Sequence, residues 1–232
     1  MSDVSEPAAS DVPAGDGLQR TPERVSLRET LGATDPGFEL ALPTGWVRRA
    51  ATAAQRDEMV AAVRGRLLQA HRPDLFARVR PLLDDAFEQM AQASVIAFFT
   101  PATGDDGALA LPASLVASVR TPTTPGGTLD PLVQALIREA GATPLLGDKR
   151  FLRFERESRQ RLDDTDILST QIVYLTPIPG TRRRRGLQLT ATIARPVDAP
   201  TEDRPLVLIR TLLDLSVSSL SWTAPGQPAG RP

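Results

Sequence analysis

Four consecutive arginines, Arg182–Arg185, are the sharpest chemical feature of this sequence. They follow Pro179-Gly180 between two segments of alternating apolar residues, so all four guanidinium groups are expected at one hairpin end. Like charges held together repel each other and attract an anion, whether an acidic protein, a phosphate or a nucleic acid. Binders of single-stranded nucleic acid interleave such cations with stacking aromatics. Aromatics make up only 4% of this chain, with Tyr174 the nearest, so nucleic acid and lipid rank below an acidic protein. The bland alternative is a solvated hairpin whose arginines pair with Glu155, Glu157 or the Asp163–Asp166 loop, and it is the commoner arrangement. Arg182, Arg183, Arg184 and Arg185 are therefore the partner-binding candidates, beside that alternative.

Catalytic chemistry finds less support. His71 is the only histidine, and it follows a long helical pattern. A Ser-His-Asp triad would need it as base, yet no Gly-x-Ser-x-Gly elbow is present. A histidine near a helix C-terminus is usually a favourable cation for the dipole. Asp105-Asp106 and the group Asp163, Asp164 and Asp166 offer carboxylate oxygens to a hard cation, but the spacing of a calcium loop is missing, and solvated turns account for them better. Gly126-Gly127 precedes a helix without either glycine-rich phosphate-binding pattern. No catalytic, cofactor-binding or metal-binding residue is assigned, no cofactor is expected, and the chain is not expected to be an enzyme.

The 232 residues carry 27 basic and 28 acidic side chains, a net charge of −1, which argues against coating nucleic acid by bulk electrostatics. Hydrophobic residues at 41% are enough for a core. Without cysteine there is no disulfide framework, thiolate nucleophile or cysteine zinc site. Lys149 is the only lysine, an arginine bias that fits a GC-rich genome. The N-terminus has neither early basic residues nor an apolar core of a secretory signal, and no run of about 18 apolar residues occurs, so membrane insertion is not expected and the cytoplasm is the expected location.

Residues 1–35 are rich in Pro, Gly, Ser and Asp and read as a disordered arm, apart from a short helix conceivable over Val25–Leu31. Residues 223–232 read as a second tail, which leaves one domain over 36–222. Phe38, Leu40 and Leu42 alternate with Glu39 and Ala41 as in a half-buried strand, and Pro43-Thr44-Gly45 turns the chain into a second strand at Trp46. Thr52-Ala53-Ala54-Gln55 fits a capping box. Met59, Val60, Val63 and Leu67, then Leu75, Phe76, Val79, Leu82, Leu83, Phe87 and Met90, fall at helical spacing and predict a helical hairpin over 52–92, with a kink or a restart at Pro81. Val95–Phe99 and Ser114–Arg120 predict strands, with a turn at Gly104–Gly107 between them. Asp130 is placed to cap a helix that opens on Pro131 and ends at Gly141. Three strands follow: Phe151–Glu157, Ser169–Ile178 with Ile172 and Tyr174 opposite Val173 and Leu175, and Leu187–Ala194 with Leu187, Leu189, Ala191 and Ile193 on one face. Pro205 opens an apolar helix to about Leu215, and Val217–Trp222 closes the chain as a strand. This order is an α+β fold, an antiparallel sheet covered by helices. Trp46, Trp222 and the stripe from Leu75 to Phe87 are expected in the core.

Phe38-Glu39-Leu40-Ala41-Leu42-Pro43-Thr44-Gly45-Trp46 resembles the opening hairpin of the PsbP/DcrB-like superfamily of small α+β sandwiches. The segment from Ile172-Val173-Tyr174-Leu175 through Leu187-Gln188-Leu189-Thr190 to Ser219-Leu220-Ser221-Trp222 resembles its later strands and last helix. The resemblance implies a sandwich over about Phe38–Trp222, with the helical hairpin as an addition. Members of that superfamily are mostly non-catalytic, among them photosystem subunits, lipoproteins and adaptors for secreted toxins. The implied function is a non-catalytic protein-binding module, in its narrower form an accessory or chaperone-like component of a bacterial secretion system. The rival is a small-molecule-binding protein or cryptic hydrolase with a pocket between sheet and helices.

Overall fold

The alternating segments of the C-terminal half build the centre of a computed structural model that describes residues 24–26, 36–102, 112–162, 165–198 and 203–223. In chain order the elements are β1 (Arg24–Ser26), β2 (Gly37–Ala41), β3 (Trp46–Arg49), α1 (Ala53–Gln69), α2 (Pro73–Gln92), β4 (Val95–Pro101) and β5 (Ala113–Arg120). Then follow α3 (Asp130–Ala140), β6 (Thr143–Leu145), β7 (Asp148–Leu162), β8 (Thr165–Pro177), β9 (Gly186–Pro196), α4 (Arg204–Ser218) and β10 (Ser221–Thr223). The expected turn at Gly104–Gly107, Asp163, Asp164, the C-terminal tail beyond Thr223 and most of the N-terminal arm lie outside the described residues.

Among the described residues, seven strands form one antiparallel sheet in the order β3-β4-β5-β9-β8-β7-β6, with four helices around it, an α+β fold. One sheet face carries Ile172 and Tyr174 of β8 beside Leu189 and Ala191 of β9 and Leu115 and Ala117 of β5. These residues are at most 1% exposed. Leu206, Ile209, Leu213 and Val217 of α4, spaced three or four apart, close over that face with Phe38 and Leu40 of β2. Burial of such side chains is worth about 1.5–3 kcal/mol each, so this layer holds most of the fold's stability. On the opposite face, Leu175 meets Leu129 at the start of α3 across Gly186. A Cβ added at Gly186 would come within 2.8 Å of the Leu129 Cδ1.

Several boundaries differ from the sequence reading. β2 and β3 do not pair as a hairpin. The Trp46 amide donates to the Pro43 carbonyl at 3.1 Å, Gly45 takes a left-handed φ of 81°, and the chain passes between two sheets. β3 then pairs with β4, while β2 is flanked by β1 and β10 in a second, three-stranded sheet. Arg24–Ser26, within the expected arm and overlapping the conceivable helix, is therefore a strand paired with Glu39–Ala41. Val217 belongs to the last turn of α4, because it continues the buried stripe of Ile209 and Leu213, and the closing strand is reduced to Ser221–Thr223. Asp130 is the first residue of α3 rather than its cap, and Leu129 occupies the cap position. Gly141 ends that helix in the left-handed conformation, as expected, with φ 64°.

The hairpin over 52–92 forms. Thr52 accepts from the Gln55 amide at 3.3 Å, but the Gln55 side chain turns to Glu58 rather than back to the cap. α2 runs through Pro81 as one helix. The two apolar stripes face each other only half-buried, and Phe87 is the sole buried residue of either helix, so most of the stripe expected in the core lies outside it. Phe87 meets Phe98 of β4 edge-on, with ring centroids 5.7 Å apart.

Candidate functional site

The charged residues of β7 occupy an unexpected face. Arg153 and Glu155 stand opposite Tyr174 and Ile172, and so lie beneath α4, while Leu152 and Phe154 are on the other side. Charge is accommodated there because α4 supplies counterparts. Arg153 Nε donates to Asp214 Oδ1 at 2.9 Å and its terminal nitrogen to Glu155 Oε2 at 3.2 Å. Arg210 pairs with Glu155. Arg195 of β9, whose side chain is 2% exposed, donates to Glu157 Oε1 at 3.0 Å, and the Thr170 hydroxyl donates to the same oxygen at 3.0 Å. Three arginines thus face three carboxylates. The Arg195 hydrogen bond, against a smaller opposing effect of burial, holds the Glu157 carboxyl below the ordinary range, with Thr170 assisting. Burial works against the Arg153 charge, but the Asp214 hydrogen bond and charge outweigh it and raise its pKa.

Tyr174 completes this network by donating its hydroxyl to Asp214 Oδ1 at 2.6 Å. Burial, then the neighbouring carboxylate, push its phenol far above the ordinary value. A raised pKa contributes stability that is fully present below the unfolded value of about 10 and is lost as pH rises through the folded value. Tyr174 is the only tyrosine, so ultraviolet absorbance of phenolate reads this group alone. Phenolate is expected to appear only together with alkaline unfolding, followed by circular dichroism. A separate titration of the folded chain near pH 10 (about the free value) would show that the hydroxyl is not buried against Asp214.

Of the partner-binding candidates, Arg183 and Arg185 are drawn to different neighbours. Arg182 and Arg183 take left-handed φ values of 52° and 59°, a conformation that costs a non-glycine residue of order 1 kcal/mol. This bends the β8–β9 loop so that the Arg183 carbonyl accepts from the Leu129 amide at 2.8 Å. The Arg183 guanidinium pairs with Asp130 Oδ1 at 2.9 Å, on α3. Arg185 instead lines a depression on the β4–β5 side, with Ser94, Val95 and Thr121. Glu155 and Glu157, the expected partners of these arginines, are taken by Arg153, Arg210 and Arg195 on the opposite sheet face. Asp166 is in β8 and pairs with Arg159 at 3.1 Å.

Beside Arg183 lies a cleft between α3 and the paired start of β7 and end of β8, of about 130 Å³. Leu129, Val133, Leu152, Leu175 and Pro177 line it, and Lys149, Arg150 and Arg183 stand at it with Asp130. The other sequence candidates stay apart. His71 sits exposed in the α1–α2 turn with φ 55°, and Gly126-Gly127 forms the loop before α3. Trp46 is buried in the core, whereas Trp222 packs half-buried against Phe38. Among the described residues, no group of three His, Cys, Asp or Glu side chains is arranged to hold a metal ion, and no helix is long and apolar enough to cross a membrane.

Two features escaped the sequence reading. One is the inward-facing charge of β7, signalled in retrospect by Arg210 and Asp214 breaking an otherwise apolar helix. The other is the solvent side of α4, where Val207, Leu208 and Leu215 are 41%, 50% and 52% exposed.

No protein-family model matches the chain, and no curated protein matches it. A solved structure from Bacteroides thetaiotaomicron is similar over 83% of this chain and 47% of its own, at 9% identity and a TM-score of 0.39. The chain thus spans about half the length of that structure.

Proposed function

We propose that the chain is a non-catalytic protein-binding module that docks its partner on the solvent side of α4. The observation that carries this reading is the exposed stripe of Val207, Leu208 and Leu215. Thr211 lies between them and donates its hydroxyl to the Val207 carbonyl at 2.9 Å, so its polar end is satisfied within the helix. Beneath the stripe, the ion pairs of Arg210 and Asp214 tie the helix to β7, which makes the face rigid before a partner arrives. A contiguous apolar face on a rigid element suits protein recognition. The PsbP/DcrB-like membership and the narrower role in a bacterial secretion system are part of the proposal and rest on the resemblance of Phe38–Trp46 and of the segments from Ile172 to Trp222.

The test is capture from native lysate with the intact chain, a Leu208→Glu/Leu215→Glu variant and an Arg182–Arg185 to Ser variant, followed by titration of the recovered protein in purified form. One protein that binds saturably to the intact chain and at least about tenfold more weakly to the α4 variant supports the reading. Loss only in the arginine variant moves the interface to the β8–β9 loop. Absence of any saturable partner overturns the module.

A further inference from the structure

We propose that the cleft between α3 and the paired start of β7 and end of β8 is a binding site for a small amphipathic monoanion, with an apolar body in the cleft and a carboxylate on Lys149. The site is independent of the α4 face and requires no protein partner.

Size and lining define the body. The cavity of about 130 Å³ is close to the roughly 150 Å³ of an apolar cavity known to accept benzene, so one ring or a short branched chain fits. Its floor is apolar from both layers, Leu129 and Val133 from α3, Leu152 and Leu175 from the sheet.

Charge defines the head group. Arg150 is committed to Asp148 through two nitrogens, at 2.9 and 2.7 Å, and lies over the Phe151 ring at 5.6 Å. That hydrogen bonding holds the Asp148 carboxyl below its ordinary range, as an ionised partner. Arg183 is committed to Asp130. Lys149 is left as the cation at the cleft that no described residue pairs or hydrogen-bonds. Two neutralised arginines and one uncompensated ammonium leave a single positive charge, which a monoanion complements and a dianion exceeds. The ammonium is a point charge with three rotatable donors, suited to a carboxylate whose angle the ring sets. A buried ring with an anion at the mouth satisfies both halves of the site, whereas an inorganic anion would leave the apolar floor uncovered.

The experiment follows backbone amide shifts of the isotope-labelled full chain during titration with phenylacetate and with the neutral phenylacetamide. Saturable phenylacetate shifts are expected at Leu129–Val133 and Lys149–Leu152, with affinity about fivefold above that for phenylacetamide. Lys149→Gln, at an exposed position, is expected to lose that fivefold difference while leaving the rest of the spectrum unchanged. Val133→Phe, which fills the cleft, is expected to abolish the shifts. Absence of saturation, shifts that map elsewhere, or equal affinity for the amide or for the Lys149→Gln chain would overturn the site.

Discussion

Replacing Asp214 by alanine is expected to destabilise the fold by about 3 kcal/mol, a fall in Tm of roughly 6–12 °C for a domain of this size. The carboxylate accepts both the Tyr174 hydroxyl and Arg153 Nε, and its side chain is 17% exposed. Removing it leaves a phenol in the core with no acceptor and a half-buried guanidinium with one carboxylate fewer. An unmade hydrogen bond of that kind costs the desolvation of the group, which exceeds the net worth of the bond. Two companions apportion the effect. Tyr174→Phe removes only the hydroxyl and should cost about 1 kcal/mol, and the double variant should cost less than the sum. Denaturant unfolding of the four chains closes the cycle. A loss below about 1 kcal/mol for Asp214→Ala, the value of an exposed ion pair, would show that water reaches the network.

That network also marks where the sequence stopped being legible. Ile172, Tyr174, Leu189 and Ala191 announce a buried face by alternation alone, because period two is a local property of the chain, and the structure places them there. The helical stripes of α1 and α2 are legible for the same reason. Alternation does not say which face is inward when both have occupants. On β7 the charged face turned inward because Asp214 and Arg210, on an element about 55–61 residues later, neutralise it. Pairing is equally non-local. The sequence Leu42-Pro43-Thr44-Gly45-Trp46 contains a turn, and a turn between two strands usually makes a hairpin. Here β2 is drawn away by β10, so that Phe38 and Trp222 meet edge-on.

The candidate site was half visible. Arg182–Arg185 stood out as charge, but two residues of the loop are left-handed, and Arg183 parts from Arg185 because α3 brings Asp130 to it. Lys149 is the second residue of β7, just after a short turn, with no motif around it. Its isolation appears only once Asp148 and Asp130 are seen to be occupied by arginines. The α4 stripe reads in sequence as an apolar helix, and periodicity cannot tell a helix buried all round from one that keeps an apolar side in solvent.

Phe87→Ala is expected to release the helical hairpin from the sheet while the rest of the fold stays intact. α1 buries no residue, and α2 buries Phe87 alone, so docking depends on one ring set edge-on against Phe98 at 5.7 Å. The ion pairs of Arg56 and Arg80 with Asp84 are exposed, lie within the hairpin, and contribute little to docking. Truncating a buried phenylalanine costs about 3–5 kcal/mol, and here most of that cost falls on the contact between hairpin and sheet. Amide hydrogen exchange is the measurement, because it resolves local opening from global unfolding. Protection over Ala53–Gln92 should fall by about a hundredfold, while protection in β5, β8 and β9 should change by much less. Phe87→Leu keeps most of the buried volume and should lose only about a tenth as much protection as alanine does. An equal fall in the helices and in the central strands would mean that hairpin and sheet open as one cooperative unit. No fall in the helices would mean that the half-buried stripes, rather than Phe87, hold the hairpin in place.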